Sequence, residues 1–222
     1  MPTDDCTPLS AVVFDLDGLM FDTETLYTDT ARQILRRRDQ ELSDELVAAM
    51  MGRKSEESLA IMIRSCDLSD TVEQLRAETN EIFARLIEQE LAPMPGLWGL
   101  LDALSAHQFP LGIATSSRCN NVDPILDKFQ LRERFQFVLT AKDVVQGKPH
   151  PEIYLTAAQK LGVSAAQVMV FEDSQIGCRA AVAAGAFTVA VPANHSRDHD
   201  FEGVAFVAQG LDDVRIRQAL GI

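Results

Sequence analysis

The sequence predicts an α/β protein built on a doubly wound, Rossmann-like parallel sheet, with an all-helical segment inserted after the first strand. Three observations lead to this prediction: short continuous apolar runs, amphipathic stretches between them, and one long segment without a strand-like run. Continuous apolar runs, in contrast to alternating ones, are typical of strands that are buried on both faces of a parallel sheet. The predicted strands are residues 11–14, 111–114, 137–139, 168–171 and 187–191.

Helical patterns separate most of the predicted strands. The predicted helices are residues 97–107, 121–129, 151–161 and 175–184. The last two are followed by Gly162 and Gly185, and glycine commonly ends a helix because it adopts the left-handed conformation without strain. Strand and helix therefore alternate along the chain, as a doubly wound sheet requires.

The segment between the first and second predicted strands is different. Residues 19–91 contain no proline and no strand-like run, and their apolar residues recur at helical spacing, as in Leu59, Met62 and Ile63. We predict a core domain of residues 1–18 and 92–222 and a helical cap domain of residues 19–91. The alternative is a set of helices that pack flat on the sheet as part of a single domain.

Composition excludes several classes of partner. The chain has 222 residues, 46% of them hydrophobic, which is enough for one domain with an insertion or for two small domains. Its 33 acidic and 20 basic residues give a formal net charge of −13, which argues against binding to nucleic acid. No apolar run approaches the roughly 18 residues that would span a bilayer, so we expect no membrane partner.

The N-terminus and the cysteines indicate a cytoplasmic protein. Residues 1–9 are polar and acidic, without the basic and apolar segments of a signal peptide. The cysteines are scattered, without a metal-binding spacing, and we expect free thiols in a reducing compartment. They are Cys6, Cys66, Cys119 and Cys178. We further expect a monomer.

Charged and hydroxylated residues come directly after several of the predicted strands, or after a short loop. In an open parallel sheet, ligands bind beyond the carboxyl ends of the strands, so these residues are the candidates for a functional site. In chain order they are Asp15 and Asp17, the hydroxyl residues Thr115 and Ser116, then Lys148, and finally Glu172 and Asp173. A lone aspartate in such a position is usually a turn former or helix cap, but an ordered set at four strand ends is hard to explain in that way.

The charges of this set point to a metal and a phosphate. Four carboxylates at one sheet edge would repel one another, which disfavours their joint ionisation unless a divalent cation compensates. Oxygen ligands suit Mg²⁺, which binds through one or two carboxylates together with a substrate phosphate. Lys148 offers a positive charge to that phosphate, and the hydroxyl groups of Thr115 and Ser116 offer hydrogen bonds.

Four short motifs in the chain resemble, in the same order, those of the haloacid dehalogenase-like (HAD) hydrolase superfamily. They are Asp15-Leu16-Asp17-Gly18 with Asp22, then Thr115, then Lys148-Pro149, and then Glu172-Asp173. The helical insertion after the first motif is similar to the first type of cap in this superfamily. The resemblance covers nearly the whole chain.

The resemblance implies a role for each motif residue. Asp15 is the expected nucleophile, which forms an aspartyl-phosphate, and Asp17 is the expected general acid and base. Thr115 and Lys148 are expected to hold the phosphoryl oxygens. The expected ligands of Mg²⁺ are the carboxylates of Asp15 and Asp173 and the backbone carbonyl of Asp17, with Glu172 close by.

Asp17, the second aspartate of the first motif, also limits which reactions of the superfamily are expected. Dehalogenases and phosphonatases of the superfamily lack the residue that corresponds to Asp17, so its presence favours a Mg²⁺-dependent phosphatase. The alternative within the superfamily is a β-phosphoglucomutase-like phosphohexomutase, but Tyr27 stands where those mutases have a histidine. A third reading is a metabolite-binding protein without activity, since fold alone does not establish function.

The detailed sequence resembles one branch of phosphatases, which includes pseudouridine-5′-phosphatase and plant-type glycerol-phosphate and FMN phosphatases. The similar segments are 17–24, 50–54, 114–117 and 170–173. This implies a small phosphorylated metabolite as substrate, a sugar, polyol or nucleoside phosphate. Arg53 in the cap is the candidate for substrate specificity, with exposed charge after a helix as the simpler explanation. We also predict a cis peptide bond before Pro149.

Overall fold

The computed structural model describes residues 8–50, 53 and 55–222. These residues form a six-stranded sheet in which each strand is parallel to its neighbours, in the order β3-β2-β1-β4-β5-β6. The strands are β1 (Ala11–Phe14), β2 (Leu111–Ala114), β3 (Phe137–Leu139), β4 (Val168–Glu172), β5 (Phe187–Ala190) and β6 (Phe206–Val207). The predicted fold class is confirmed. Among the described strands, β6 was not predicted, because a two-residue strand leaves no recognisable apolar run.

Helices connect most of the strands. They are α1 (Thr23–Arg36), α2 (Asp44–Met50), α3 (Ser55–Ser65), α4 (Val72–Glu90), α5 (Leu97–Ala106), α6 (Cys119–Lys128), α7 (Glu152–Leu161), α8 (Gln175–Ala183) and α9 (Val214–Leu220). The predicted helices agree with α5 to α8 to within two residues at each end. None of the helices in the described part of the chain is both long and apolar enough to cross a membrane.

The chain divides into two compact units. The first contains the described residues up to Asp22 together with Ala92–Ile222, and the second is Thr23–Leu91. The second unit contains helices α1 to α4. The role of residues 19–91 as a cap remains a prediction.

The second unit contains an aromatic stack and an ion-pair cluster. Tyr27 of α1 stacks on Phe83 of α4, with ring centroids 4.4 Å apart. Arg38 donates to the carboxylates of Asp70, at 2.7 and 2.9 Å, and of Glu78, at 2.7 Å. Arg53 is exposed, and its Nε donates to the carbonyl of Ala49 at 2.8 Å.

Strand β1 is central in the first unit and determines where the site can form. It lies between β2 and β4, so Phe14 is in register with Ile113 on one side and Phe171 on the other. The helices that return from β3 and β4 pack on the sheet through small side chains, including Ala157 of α7 and Ala180 of α8. The residues that follow β1, β2 and β4 are thus brought to one edge of the sheet.

The chain turns sharply just after β1. Gly18 has a φ of 77°, in the left-handed region, and its N–H donates to the carbonyl of Phe21 at 2.9 Å. The turn is therefore suited to glycine, because a side chain at this φ would be strained. This short turn holds Asp15 and Asp17 close to the sheet edge.

Three of the four cysteines lie in the described residues, and each is a free thiol: Cys66, Cys119 and Cys178. Cys6 lies outside the described residues, as do Gly52 and Lys54 beside Arg53. The peptide bond between Lys148 and Pro149 is cis, which confirms that prediction.

Candidate active site

Lys148 joins three strand ends at the centre of the site. Its Nζ donates to Asp15 Oδ1 and to Glu172 Oε1, both at 2.6 Å, and to the carbonyl of Ala114 at 2.9 Å. Its side chain is 4% exposed, so this ammonium has left bulk water and depends on these partners. Lys148, a loop residue, thus lies between the ends of β1, β2 and β4.

Glu172 is the completely buried partner of Lys148. Its Oε1 also accepts a hydrogen bond from the hydroxyl of Tyr154, at 2.6 Å. Its Oε2 accepts from the hydroxyl of Ser174 at 3.2 Å. The Lys148 ammonium lies 5.0 Å from the centroid of the Tyr154 ring, so the tyrosine contacts both members of the ion pair. Both oxygens of Glu172 are therefore engaged with the protein.

The carboxylate of Glu172 has room only because residue 177 is glycine. A Cβ built on Gly177 would overlap the carboxylate of Glu172, which is completely buried. Gly177 occupies the third position of α8, and its N–H donates to the hydroxyl of Ser174, the N-cap residue. The first turn of α8 thus serves as a wall of the site.

We expect Gly177→Ala to lower the free energy of unfolding by about 1–3 kcal/mol, because the new methyl group must displace the Glu172 carboxylate. The displacement should also release Lys148 and lower activity. Urea unfolding followed by circular dichroism, together with a phosphatase assay, measures both effects.

Gly99→Ala is the matched control, since Gly99 also occupies the third position of its helix, α5, and a Cβ there would have no atom within 4 Å. This change should leave activity intact and stabilise by up to about 1 kcal/mol, because alanine is the better helix former. Equal effects of the two substitutions would contradict the contact between Gly177 and Glu172.

Asp17 is held by two hydroxyl groups from the loop after β2. Its Oδ2 accepts hydrogen bonds from Thr115 Oγ1 at 2.9 Å and from Ser117 Oγ at 2.7 Å. The Thr115 hydroxyl also accepts from the N–H of Ser117, at 3.0 Å, which orients both groups. The Asp17 side chain is therefore fixed by the loop that was predicted to hold a phosphoryl group.

Asp173 contacts a residue that the sequence analysis did not single out. Nε2 of His195 lies 2.8 Å from Asp173 Oδ2. His195 belongs to a short 3-10 turn, Asn194–Ser196, which follows β5. Asp173 is 3% exposed, so its carboxylate is largely shielded from water at this contact.

Electrostatics at the site favour a bound cation. Burial raises the pKa of Asp15 well above its ordinary value, although Lys148 lowers it, and the nearby carboxylates of Glu172 and Asp173 raise it further. Burial also raises the pKa of Asp173, against the hydrogen bond with His195. For Lys148, burial disfavours the charged form, but Asp15 and Glu172 outweigh it and raise the pKa above the ordinary lysine value.

The donor set fits a metal ion. Asp15, Glu172 and Asp173 each offer one carboxylate oxygen, and these oxygens all lie within 4.8 Å of one another. Together with Asp17, these carboxylates outnumber the Lys148 ammonium among the described residues at this edge. Burial is the main cause of the raised pKa values of Asp15 and Asp173, and repulsion from Glu172 adds to it in both. A hard divalent cation, which prefers oxygen ligands, is the partner that suits such a cluster.

The structure brings most of the predicted residues together and adds others. Asp15, Asp17, Thr115, Lys148 and Asp173 lie at one edge, whereas Ser116 is exposed and Ser117 makes the contact with Asp17. The residues added to the site are Tyr154, Gly177, Ser117 and His195. His195 follows the fifth apolar run closely, so its position beyond a strand end was visible in the sequence. The catalytic, metal-binding and substrate-binding roles of the predicted residues, those of Ser116 and Arg53 included, remain predictions.

The fold and the strand-end residues together define a hydrolase class. The family model described as haloacid dehalogenase-like hydrolase matches residues 12–191 of this chain. The chain therefore belongs to the haloacid dehalogenase-like hydrolase family, and it is an enzyme of that family. The sequence-based resemblance is confirmed.

Relatives with known names agree with this assignment. A phosphorylated carbohydrates phosphatase of Thermotoga maritima is 31% identical over 177 residues, covering 80% of this chain and 82% of that protein. A (DL)-glycerol-3-phosphatase 2 of Arabidopsis thaliana is 36% identical over 196 residues, covering 83% and 80%. The crystal structure of CbbY from Rhodobacter sphaeroides in complex with phosphate superposes with a TM-score of 0.79 at 25% identity, covering 91% of this chain and 95% of that one.

Proposed function

We propose that this protein is a Mg²⁺-dependent phosphatase, which hydrolyses a small phosphomonoester through an aspartyl-phosphate on Asp15. The observation that carries the proposal is the buried contact of Lys148 with Asp15, next to an all-carboxylate cluster. A buried ammonium beside a carboxylate nucleophile is what attack on an anionic phosphoryl group needs, because it offsets the repulsion between the two negative groups.

In the first step, an oxygen of Asp15 forms a bond to phosphorus and the ester bond to the leaving oxygen breaks. Asp17 donates a proton to that leaving oxygen, so the alcohol departs neutral. The hydroxyl groups of Thr115 and Ser117, which donate to Asp17 Oδ2, hold its carboxyl group in position. Lys148 stabilises the negative charge on the transferring phosphoryl group. Ser116 is a proposed hydrogen-bond donor to this group, and so is Thr115, whose single hydroxyl hydrogen would turn from Asp17 to a phosphoryl oxygen when the substrate binds, while Ser117 continues to hold Asp17.

In the second step, the Asp17 carboxylate takes a proton from a water molecule, and the water oxygen attacks phosphorus. The acyl-phosphate bond breaks, inorganic phosphate leaves and Asp15 is restored. One residue thus gives a proton in the first step and takes one in the second. Lys148 can stabilise the charge of the phosphoryl group in both steps from the same buried position.

Asp15 and Asp173, with the backbone carbonyl of Asp17, are the residues that would hold Mg²⁺. When bound, the ion would neutralise charge on the phosphoryl oxygens and on Asp15. Glu172 would add negative charge to the site, but its oxygens already accept hydrogen bonds from Lys148, Tyr154 and Ser174, which argues for an indirect role.

The substrate that we propose is a small sugar, polyol or nucleoside phosphate. The names of the relatives support this class, since one acts on phosphorylated carbohydrates and another on glycerol 3-phosphate. We propose that residues 19–91 are the cap that selects the substrate, and that Arg53 contributes a positive charge to this selection. We also propose that the enzyme is cytoplasmic and acts as a monomer.

Phosphate release from a panel of phosphorylated metabolites tests the function. Sugar phosphates, polyol phosphates, nucleotides and FMN are incubated with the protein and Mg²⁺, and again with EDTA. We expect Mg²⁺-dependent release from at least one small ester. Glucose 6-phosphate formed from β-glucose 1-phosphate and its bisphosphate, without free phosphate, would instead establish the phosphohexomutase. No turnover of any ester would contradict both.

Magnesium should stabilise the protein more at about pH 8 than at about pH 5. The pKa values of Asp15 and Asp173 are raised by folding, so the stability that their protonated forms contribute is lost as pH rises through these pKa values. Mg²⁺ binds the ionised carboxylates and restores that stability, by about 2.7 kcal/mol at a hundredfold excess over Kd.

The measurement is the melting temperature with and without Mg²⁺ at both pH values, with NaCl of equal ionic strength as the control. A gain of about 5–10 °C is expected at the higher pH. A gain that is equal at both pH values, or larger in acid, would contradict the carboxylate site.

A further inference from the structure

We propose that His195 is a positioning residue for the metal site, because its imidazole fixes the orientation in which Asp173 presents its carboxylate to the cation. This inference rests on the proposed function, which assigns Asp173 to Mg²⁺. It assigns a task to a residue outside the four sequence motifs.

The first support is the contact between His195 and Asp173. Nε2 lies 2.8 Å from Asp173 Oδ2, a hydrogen-bond distance. When Asp173 is ionised to hold the metal, its carboxylate can only accept, so Nε2 must then carry the hydrogen. A hydrogen bond to one oxygen fixes the rotation of the carboxylate plane and with it the direction of the other oxygen. Asp173 also offers an oxygen to the cluster with Asp15 and Glu172.

The second support is that the fold holds the imidazole in place. The turn that bears His195 is anchored by Ser196, which is completely buried and whose hydroxyl accepts from the N–H of Ala193 at 3.0 Å. On the opposite side, the ring packs against Gly18, where an added Cβ would lie 2.8 Å from His195 Cε1 and 2.7 Å from Asp173 Oδ2. The hydrogen bond between His195 and Asp173 therefore lies between the turn after β1 and the turn after β5.

The third support is the chemistry of outer-shell groups at metal sites. A carboxylate ligand that can rotate must be ordered when the ion binds, and this ordering weakens the affinity. Hydrogen-bond partners that orient ligands typically change metal affinity by about 10- to 100-fold when they are removed. His195 is the neighbour of Asp173 that meets this description by distance and by anchoring.

The test is the affinity of the metal-free protein for Mg²⁺, measured by isothermal titration calorimetry without substrate. Three variants separate the hydrogen bond from the space that the ring fills: His195→Ala, His195→Asn and His195→Gln. Glutamine carries an N–H near the position of Nε2 and can reach Asp173, whereas the shorter asparagine cannot. His199→Ala is the matched control, since His199 lies in the same connection and its Nδ1 accepts from the N–H of Gln175 at 3.3 Å.

We expect His195→Ala and His195→Asn to raise the Kd for Mg²⁺ by about 10- to 100-fold, and His195→Gln to change it by less than about threefold. His199→Ala should leave the Kd unchanged. Activity of His195→Ala should recover towards the wild-type kcat when Mg²⁺ is raised above the new Kd, because no reacting group has been removed. Asparagine keeps a polar side chain at this position and so guards against an unfolded alanine variant.

Two results would overturn the inference while leaving the proposed function intact. One is an unchanged Mg²⁺ affinity in both His195→Ala and His195→Asn. The other is an equal loss in all three variants, glutamine included, which would mean that the hydrogen bond is not the cause. If the wild-type protein itself binds no Mg²⁺, both the proposed metal site and this inference are wrong.

Discussion

Asp17→Asn is expected to lower phosphate release by about 10²–10⁴-fold and to leave the fold unchanged. Asparagine retains a carbonyl oxygen that can accept the hydrogen bonds of Thr115 and Ser117, so the side chain should keep its position. The amide cannot give or take the proton that each step requires. The variant therefore separates proton transfer from positioning, which substitution by alanine would not do.

The measurements are kcat on a generic phosphate ester and the intact mass of the protein during turnover. An activated ester, which needs little protonation of its leaving group, should still phosphorylate Asp15, and the mass of one phosphoryl group should then remain on the chain. Asp102→Asn is the control, because Asp102 is an exposed carboxylate paired with Arg134 at the surface. A wild-type rate in Asp17→Asn would remove Asp17 from the mechanism.

Lys148→Met is expected to lower both stability and activity. The substitution leaves the carboxylates of Asp15 and Glu172 buried without the ammonium that pairs with both of them. Removal of one partner from a buried ion pair typically costs about 3–5 kcal/mol of unfolding free energy. Activity should fall by about 10²–10³-fold or more, since a donor to the phosphoryl charge is lost and Asp15 ionises less readily.

Lys160→Met is the matched control, since Lys160 is exposed at the end of α7 and should tolerate the change within about 0.5 kcal/mol. A second substitution, Glu172→Gln, made in the Lys148→Met protein, should recover part of the stability because it removes one unpaired buried charge. Unfolding in urea measures all of these variants. A loss below about 1 kcal/mol in Lys148→Met would mean that the ion pair is not buried as described.

The strands of the sheet could be predicted because their sequences record burial on both faces. Ala11–Phe14 and Val168–Glu172 are completely buried, and their apolar runs are continuous for that reason. The parallel topology then requires that their carboxyl ends share an edge, so Asp15 and Asp173 could be assigned to one site. Strand β6 and helix α9 were missed because short elements leave too few residues to show a period.

The contacts inside the site could not be predicted in the same way. Lys148 and Asp15 are 133 residues apart in the chain, and Ser117 and Asp17 are 100 residues apart. The sequence predicted that the loop after β2 serves a phosphate, but whether Ser116 or Ser117 faces Asp17 depends on backbone dihedral angles that residue types do not specify.

The sequence by itself determined the fold class, the family and the identity of the strand-end carboxylates. Apolar runs indicate which strands are buried, and the order of the motifs is read directly along the chain. Only the tertiary structure decided that Glu172 lies against Gly177 and that His195 meets Asp173. These are close approaches between separate elements, and they depend on how two turns and a helix pack against the sheet. Side-chain packing at that scale is a property of the folded chain, since no short stretch of sequence contains both partners of the contact between His195 and Asp173.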